Sequence, residues 1–561
     1  MLTEKLALTA LTLCLLALAG CGKKSADLVL KNGTIYTVDA NFSTVTAVAV
    51  QGNRIVATGD EAAISGWIGP QTQVIDLQGA TVVPGLADAH YHFLGVGKRA
   101  YYLNLDGSSS LEDFLQKVAA EVEGKQPGEW VIGRGWIEED WPSKRFPTRH
   151  DLDRVAPRNP VFLTRADGHA AVVNSAALRT AGITSRTADP QGGEILRDEK
   201  GQPTGMLIDR AMSFLRSHLP PDTTADMTRA YALKAQEQAF AYGLTQVHDM
   251  GISRKRIEQL KPLFASGDLK IRLHEYVRGP GADADSLLSS GPETGLFDHR
   301  LTVRGIKISQ DGALGSRGAA LLAPYSDAET QGLLMHEHAA IYPAVTRALQ
   351  TGVQLAIHAI GDRANRDILD LYARAFAEIP PEERRIAEPR FRIEHAQIVA
   401  PEDIPRFKEL GVIPSMQPSH AIGDLHFAIR RLGRERLAGA YAWNSFVKQG
   451  SIVPAGSDAP VEEGNPMIEF YAAVVRKDTT GFATPDWHAE QRLSREDALR
   501  ALTIWPAQAV FEEHLRGSIE PGKLADFTIF EKNLMTEPEE RLFDIPVKMT
   551  IVAGEVVFEK K

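Results

Sequence analysis

The sequence predicts an α/β fold: a (β/α)8 TIM barrel with a small composite β-domain drawn from both termini and an insertion after the first barrel strand. Three observations predict it. Eight short β-rich segments recur through the middle of the chain, with helical stretches between most of them. Both ends are strand-rich, a texture the middle lacks. One gap between successive barrel strands, about 93–225, is too long for a loop.

The first element reads as an address. Residues 6–19 form an apolar run with a few Thr, preceded by Lys5. That run is shorter than the roughly 20 residues a spanning helix needs, and it fits the apolar part of a secretory signal. It ends Leu18-Ala19-Gly20-Cys21, which looks like a bacterial lipobox, so 1–20 is expected to be a lipoprotein signal and Cys21 the lipidated residue. The expected location is the bacterial cell envelope, lipid-anchored on the periplasmic side. Residue 22 is Gly rather than Asp, which leans towards the outer membrane.

Next come the β-rich segments 26–30, 33–38, 45–50, 54–57 and 74–77, split by Gly, Asn and Asp. Segments 526–530, 547–552 and 555–558 repeat the texture. Together 21–82 and 515–561 are expected to form one composite β-sandwich domain around a barrel at 83–514. The barrel strands are expected at 80–84, 244–248, 271–277, 303–308, 354–358, 391–395, 412–416 and 452–455. The insertion carries its own strand, Val161-Phe162-Leu163-Thr164, and three indoles, Trp130, Trp136 and Trp141. It is expected to cap the barrel mouth.

Composition narrows the chemistry. The chain of 561 residues carries a formal net charge of −10, is 43% hydrophobic and 24% charged, and has no sustained basic tract. A nucleic-acid partner is not expected. Both cysteines, Cys14 and Cys21, lie at the start, so the body has no thiol nucleophile, disulfide or cysteine metal site. No Gly-x-Ser-x-Gly elbow supports serine chemistry.

Active sites of such barrels sit at the C-terminal strand ends. The first expected strand runs into Asp88-Ala89-His90-Tyr91-His92, and residues two apart on extended backbone share a side, so His90 and His92 can grip one cation. Lys307 faces inward between Ile306 and Ile308. The fifth strand ends at His358, the sixth at His395, and the eighth runs into Asp458. Any one of these is ordinary alone. Together, four imidazoles, a lysine and a carboxylate suit zinc and related divalent ions. Candidate substrate contacts are His169 in the insertion, His248 (with Asp249 lining or orienting) after the second strand, Arg317, and Gln417 and His420 after the seventh. Arg317 has an alternative structural role, paired with Asp311 or Asp327.

The chain resembles the amidohydrolase superfamily of metal-dependent hydrolases, nearest the branch that includes N-substituted formamide deformylases. The resemblance rests on 84–92, on Asp167-Gly168-His169-Ala170-Ala171-Val172-Val173-Asn174-Ser175, on 243–251, 307–317, 358–364 and 392–397, and on Gly456-Ser457-Asp458-Ala459-Pro460. It implies that His90 and His92 bind a more buried metal and His358 and His395 a more exposed one. Lys307 matches the lysine that the superfamily carboxylates with CO2 to bridge two ions, here expected to be Zn(2+); an unmodified Lys307 would favour a mononuclear site. A buried amine beside cations favours its neutral, CO2-reactive form. Asp458 would touch the metal and shuttle the proton as metal-activated hydroxide attacks a carbonyl.

The function expected is hydrolysis of a C–N amide-type bond in a small molecule: a formamide, an N-acyl amine or an N-acyl amino acid. Two alternatives stand beside it, an ester or lactone hydrolase on the same site and a lipid-anchored ligand-binding protein. Whether the chain forms an oligomer stays open.

Overall fold

The computed structural model describes residues 25–166 and 168–561. The signal segment and Cys21 lie outside the described residues.

Both ends of the chain meet in one eight-stranded sheet. Its order is Glu555–Glu559, Val547–Val552, Phe527–Phe530, Thr81–Pro84, Leu28–Tyr36, Thr44–Gln51 and Arg54–Gly59, with Gln73–Asp76 paired to Leu28–Tyr36. Thr81–Pro84 joins the halves, antiparallel to Phe527–Phe530 and parallel to Leu28–Tyr36. Alternating residues of these strands enter one apolar core that includes Leu28, Leu30, Val48, Val50, Val82, Phe527, Ile529 and Ile551. Burying each such side chain contributes about 1.5–3 kcal/mol.

The segment 80–84 was expected in the barrel, and here the structure differs. Thr81–Pro84 belongs to the terminal sheet, and the first barrel strand is Leu86–Tyr91. Gly85 makes the crossing between them. Its N–H donates to the Asp526 carbonyl at 2.9 Å, and a Cβ there would meet Thr245 Oγ1 at 2.3 Å. Only a residue without a side chain fits that approach.

The barrel sheet runs Leu86–Tyr91, Leu244–Ile252, Arg272–Arg278, Leu301–Ser309, Gln354–Ala359, Arg392–His395 and Ile413–Ser415, each parallel to the next. Two isolated parallel bridges, Met416 to Ala455 and Tyr91 to Ala459, bring the segment around 455–459 between the last strand and the first. The parallel sheet is therefore nearly closed. Pro454 lacks an N–H for a ladder, consistent with bridges in place of a regular strand there.

Residues 94–238 form a second compact unit, wider than the expected 93–225. Its six-stranded sheet is ordered Gly193–Arg197, Pro203–Asp209, Ala170–Val173, Val161–Arg165, Val131–Trp136 and Leu103–Asn104. One apolar cluster gathers Phe114, Trp136, Trp141 and Leu152, and another Phe162, Leu178, Leu207 and Leu215. The indole N–H groups of Trp136 and Trp141 donate to the Leu163 and Ser108 carbonyls at 3.0 and 2.8 Å. This unit has cores of its own.

Candidate metal centre

Strand ends and the helix Pro418–Asp424 after the seventh strand bring His90, His92, Lys307, His358, His395, His420 and Asp458 together. The first strand and the closing segment are tied by backbone bonds: Asp458 N–H donates to His90 O at 2.7 Å and His92 N–H to Ala459 O at 2.8 Å. Asp88 reinforces the junction. Its buried carboxylate accepts from the backbone N–H groups of His90 and Ser457 and from Ser457 Oγ, the last at 2.6 Å. Burial pushes Asp88 up to about 7 despite these bonds. His395 and Asp458 adopt φ of +74° and +58°. Such backbone costs about 1–3 kcal/mol at a non-glycine residue, and such residues gather at functional sites.

His90 is fully enclosed, with Nδ1 2.6 Å from Glu394 Oε2. A carboxylate there fixes the N–H on Nδ1 and leaves Nε2 unprotonated, an assignment drawn from the bonding network. Nε2 lies 3.1 Å from Lys307 Nζ and 3.5 Å from Asp458 Oδ1. His92 Nε2 is 3.0 Å from the same Oδ1. The His358 and His395 rings meet edge to face with centroids 4.3 Å apart. His420 lies nearly parallel to His395, at 5.8 Å and 9°.

Burial dominates the electrostatics. It depresses the basicity of His90 and His395, helped by neighbouring cationic and imidazole groups. It also pushes the Lys307 ammonium down, against the opposing pull of Glu394 and Asp458. Burial would raise Asp458, but the His92 hydrogen bond and the imidazoles of His395 and His420 outweigh it and hold the carboxyl well below its usual range.

The donor set fits a divalent metal. His358 Nε2, His395 Nδ1 and His420 Nε2 are buried without a hydrogen-bond partner. His358 Nε2 does come within 3.3 Å of Asp311 Oδ1, but not in hydrogen-bond alignment. Leaving a buried polar nitrogen unpaired costs about 1–3 kcal/mol, which a cation would relieve. Two groups offer ligand atoms within 4.8 Å of one another: His90, His92 and Asp458, and His395, His420 and Asp458.

The remaining candidates make contacts of other kinds. His248 was expected to line the pocket at a strand end, but the strand runs on to Ile252 and His248 is fully enclosed. Its Nδ1 accepts from Arg392 Nη1 at 3.0 Å, and its Nε2 is 3.2 Å from the Gln246 amide. Arg317 makes a two-armed ion pair with Asp327, both bonds at 3.0 Å. Gln417 is buried, its amide 3.4 Å from Ser415 O. His169 sits in the second compact unit, its side chain 76% exposed, with Nδ1 2.7 Å from Asp209 Oδ1.

Sequence reasoning missed the supports of the site. Arg392 and Glu394 alternate on one side of Arg392–His395, and both are fully buried. Arg392 Nε lies 2.7 Å from Glu394 Oε1 as an ion pair, without hydrogen-bond alignment. Its Nη1 and Nη2 donate to Tyr276 OH, Ala89 O and Ser415 Oγ at 3.1, 2.7 and 2.7 Å. Asp311, expected only as a possible partner of Arg317, instead accepts the N–H groups of Ala320, Ile360 and Gly361. The signal for Arg392 and Glu394 was a period-two charge pair alternating with Phe391 and Ile393.

Comparison with known proteins agrees with this geometry. The sequence profile of the amidohydrolase family matches residues 73–558. Protein LONG AFTER FAR-RED 3 of Arabidopsis thaliana is 36% identical over 528 residues, covering 91% of this chain and 88% of that protein. The N-substituted formamide deformylase of Arthrobacter pascens is 30% identical over 546 residues, covering 95% and 98%. A metal-dependent hydrolase of Pyrococcus horikoshii has a crystal structure that superposes with a TM-score of 0.73 at 28% identity, over 91% of this chain and 99% of that one. Divalent-metal donors at the mouth of a nearly closed parallel barrel, on a chain matched almost end to end, make this protein a hydrolase of the amidohydrolase family.

Proposed function

We propose that the chain hydrolyses a C–N amide-type bond in a small molecule, a formamide, N-acyl amine or N-acyl amino acid. One observation carries the reading: the Asp458 carboxyl, held below its usual range, stands beside His395 and His420, whose buried Nδ1 and Nε2 have no hydrogen-bond partner. The resemblance to an N-substituted formamide deformylase supports an amide-type bond over other acyl centres. A divalent ion held there would lower the pKa of water to about 7 and polarise a carbonyl oxygen.

The chain's own residues do the rest. His90 and His92 present paired nitrogens, and Glu394 holds the His90 ring in place. His358 and His395 bring further imidazoles. Burial beside His90 shifts Lys307 towards its neutral amine; its nitrogen can bond the carbon of CO2 with loss of one proton, giving a carboxylate that could serve as a ligand for divalent zinc, Zn(2+). Asp458 takes the proton as water attacks the carbonyl and returns it to the departing nitrogen. Esters and lactones offer the same carbonyl to the same groups and are the second reading. We place the protein in a bacterial envelope through a lipid on Cys21; Cys21→Ser that left membrane fractionation unchanged would refute the anchor.

The test of function is turnover of formamides, N-acyl amines, N-acyl amino acids, dipeptides, esters and lactones by metal-reconstituted protein. Amide turnover should lead the panel. Asp458→Asn should retain most metal and lose about 100-fold or more in kcat; a fully active variant would overturn the mechanism.

A further inference from the structure

We infer that Asp311 is a positioning residue for His358: one carboxylate, anchored on two loops, holds the Nε2 side of the imidazole and so presents its other nitrogen to a cation. The inference rests on the metal reading above. It departs from the sequence expectation, which offered Asp311 only as a partner of Arg317.

Asp311 lies two residues past the strand Leu301–Ser309, and its side chain is fully buried. Its Oδ2 accepts the N–H groups of Ala320 and Gly361 at 2.9 and 2.8 Å, and its Oδ1 accepts that of Ile360 at 2.9 Å. A carboxylate offers about four acceptor sites, two on each oxygen. Oδ2 is therefore filled, and Oδ1 has one site to spare. Oδ1 is also the oxygen 3.3 Å from His358 Nε2, which the protein otherwise leaves buried and unpaired. That separation is just outside the usual range of about 2.7–3.2 Å, and a small tilt of the ring would bring the N–H into line.

The chain is pinned on both sides of His358. Its carbonyl accepts from Gln310 N–H at 3.0 Å, and Ile360, two residues on, donates to Asp311. The loops then meet backbone to backbone, because a Cβ on Gly361 would stand 2.0 Å from Ala320 O. An imidazole that donates from Nε2 carries its lone pair on Nδ1, so a bond to Asp311 selects Nδ1 as the ligand atom. Arg317 makes its two-armed pair with Asp327 instead. Asp362 offers a matched comparison. Its Oδ1 accepts the N–H groups of Leu322 and Arg363 at 2.8 and 2.9 Å, so it ties the same two loops through backbone donors.

The experiment compares full-length wild type with Asp311→Asn and Asp362→Asn. Zinc affinity is measured by chelator competition and metal per chain by elemental analysis. The visible spectrum of the Co(II)-loaded protein reports ligand number and geometry. Asp311→Asn should bind metal about 10–100-fold more weakly, with a changed Co(II) spectrum. Asp362→Asn should keep the wild-type affinity and spectrum even where it loses thermal stability. Equal loss in both variants, or none in Asp311→Asn, would overturn the inference and leave Asp311 a loop support. A crystal structure of the zinc-loaded wild type decides the question if Asp311→Asn fails to fold: His358 Nε2 bonded to Asp311 supports the inference, and Nε2 bonded to zinc or to any other group overturns it. A wild type that binds no divalent metal would instead overturn the metal reading itself.

Discussion

The terminal sheet and the barrel are assembled from distant chain segments, yet their interiors are built from opposite materials. The sheet's core gathers apolar side chains, from Leu28 and Val48 to Phe527 and Ile551, and the polar residues its strands bury include the uncharged Thr81, Thr528 and Thr550. The barrel interior holds Arg392, Glu394, His248 and His274, all buried. Dispersion and burial are non-directional and tolerate swaps of similar volume. A buried ionic network is directional, and removing one member strands its partner in low dielectric. The sheet can therefore lose a methyl group at modest cost, whereas the barrel interior should respond to a single deletion by failing across several strands.

Arg392→Leu should break this contrast most severely. Arg392 bonds partners on the first, second, third, sixth and seventh barrel strands. Its loss leaves Glu394 buried and uncompensated, and urea unfolding should show about 3–5 kcal/mol of destabilisation. A loss below that of a conservative change in the sheet core would sink the comparison.

The Arg272–Asp526 pair tests the seam between the two regions. Arg272 in the third barrel strand donates to Asp526 beside the terminal sheet at 2.7 and 2.8 Å. Burial would raise Asp526, but the guanidinium prevails and lowers it. A carboxyl depressed on folding contributes stability above its unfolded value, about 3.9, and loses it as pH falls through the folded value. Arg272→Met should cost about 3 kcal/mol at pH 7, and the deficit should shrink as pH is taken below about 4. A deficit that held constant down to the acid limit would argue against the pair.

Glu394→Gln tests positioning within the same network, at a cost to stability because the buried Arg392 loses its counter-charge. The amide keeps size and one acceptor but loses the charge that fixes the His90 ring, so zinc affinity should fall about 10–100-fold. Chelator competition would measure it, with near-unchanged secondary structure by circular dichroism as the control. The smallest effect is expected at Ile529→Val in the sheet core, about 0.5–1.5 kcal/mol by thermal unfolding with metal content untouched.

Much of the centre was legible before any coordinates. The spacing of His90 and His92 on extended backbone, the inward Lys307 between two isoleucines, and the strand-end His358, His395 and Asp458 all point to one mouth. The supports were harder to read. Glu394 bonds His90 across 304 residues, and Asp311 gathers backbone donors from two loops, links that no local pattern carries. His248 shows the limit most directly. Its inward direction follows from strand alternation, but its depth depends on the strand running on to Ile252.

By itself the sequence determined the alternation of strands and helices, the apolar strand texture at both ends, and the residue types that can hold a cation. Those are properties of period, composition and side-chain chemistry, all local to the chain. Only the tertiary structure decided that Thr81–Pro84 belongs to the terminal sheet, that His248 lies beneath the rim, and that His420 faces Asp458. The physical reason is register: a strand's period says which side a residue faces, and only pairing with its neighbours says how deep it sits and which charges meet it there.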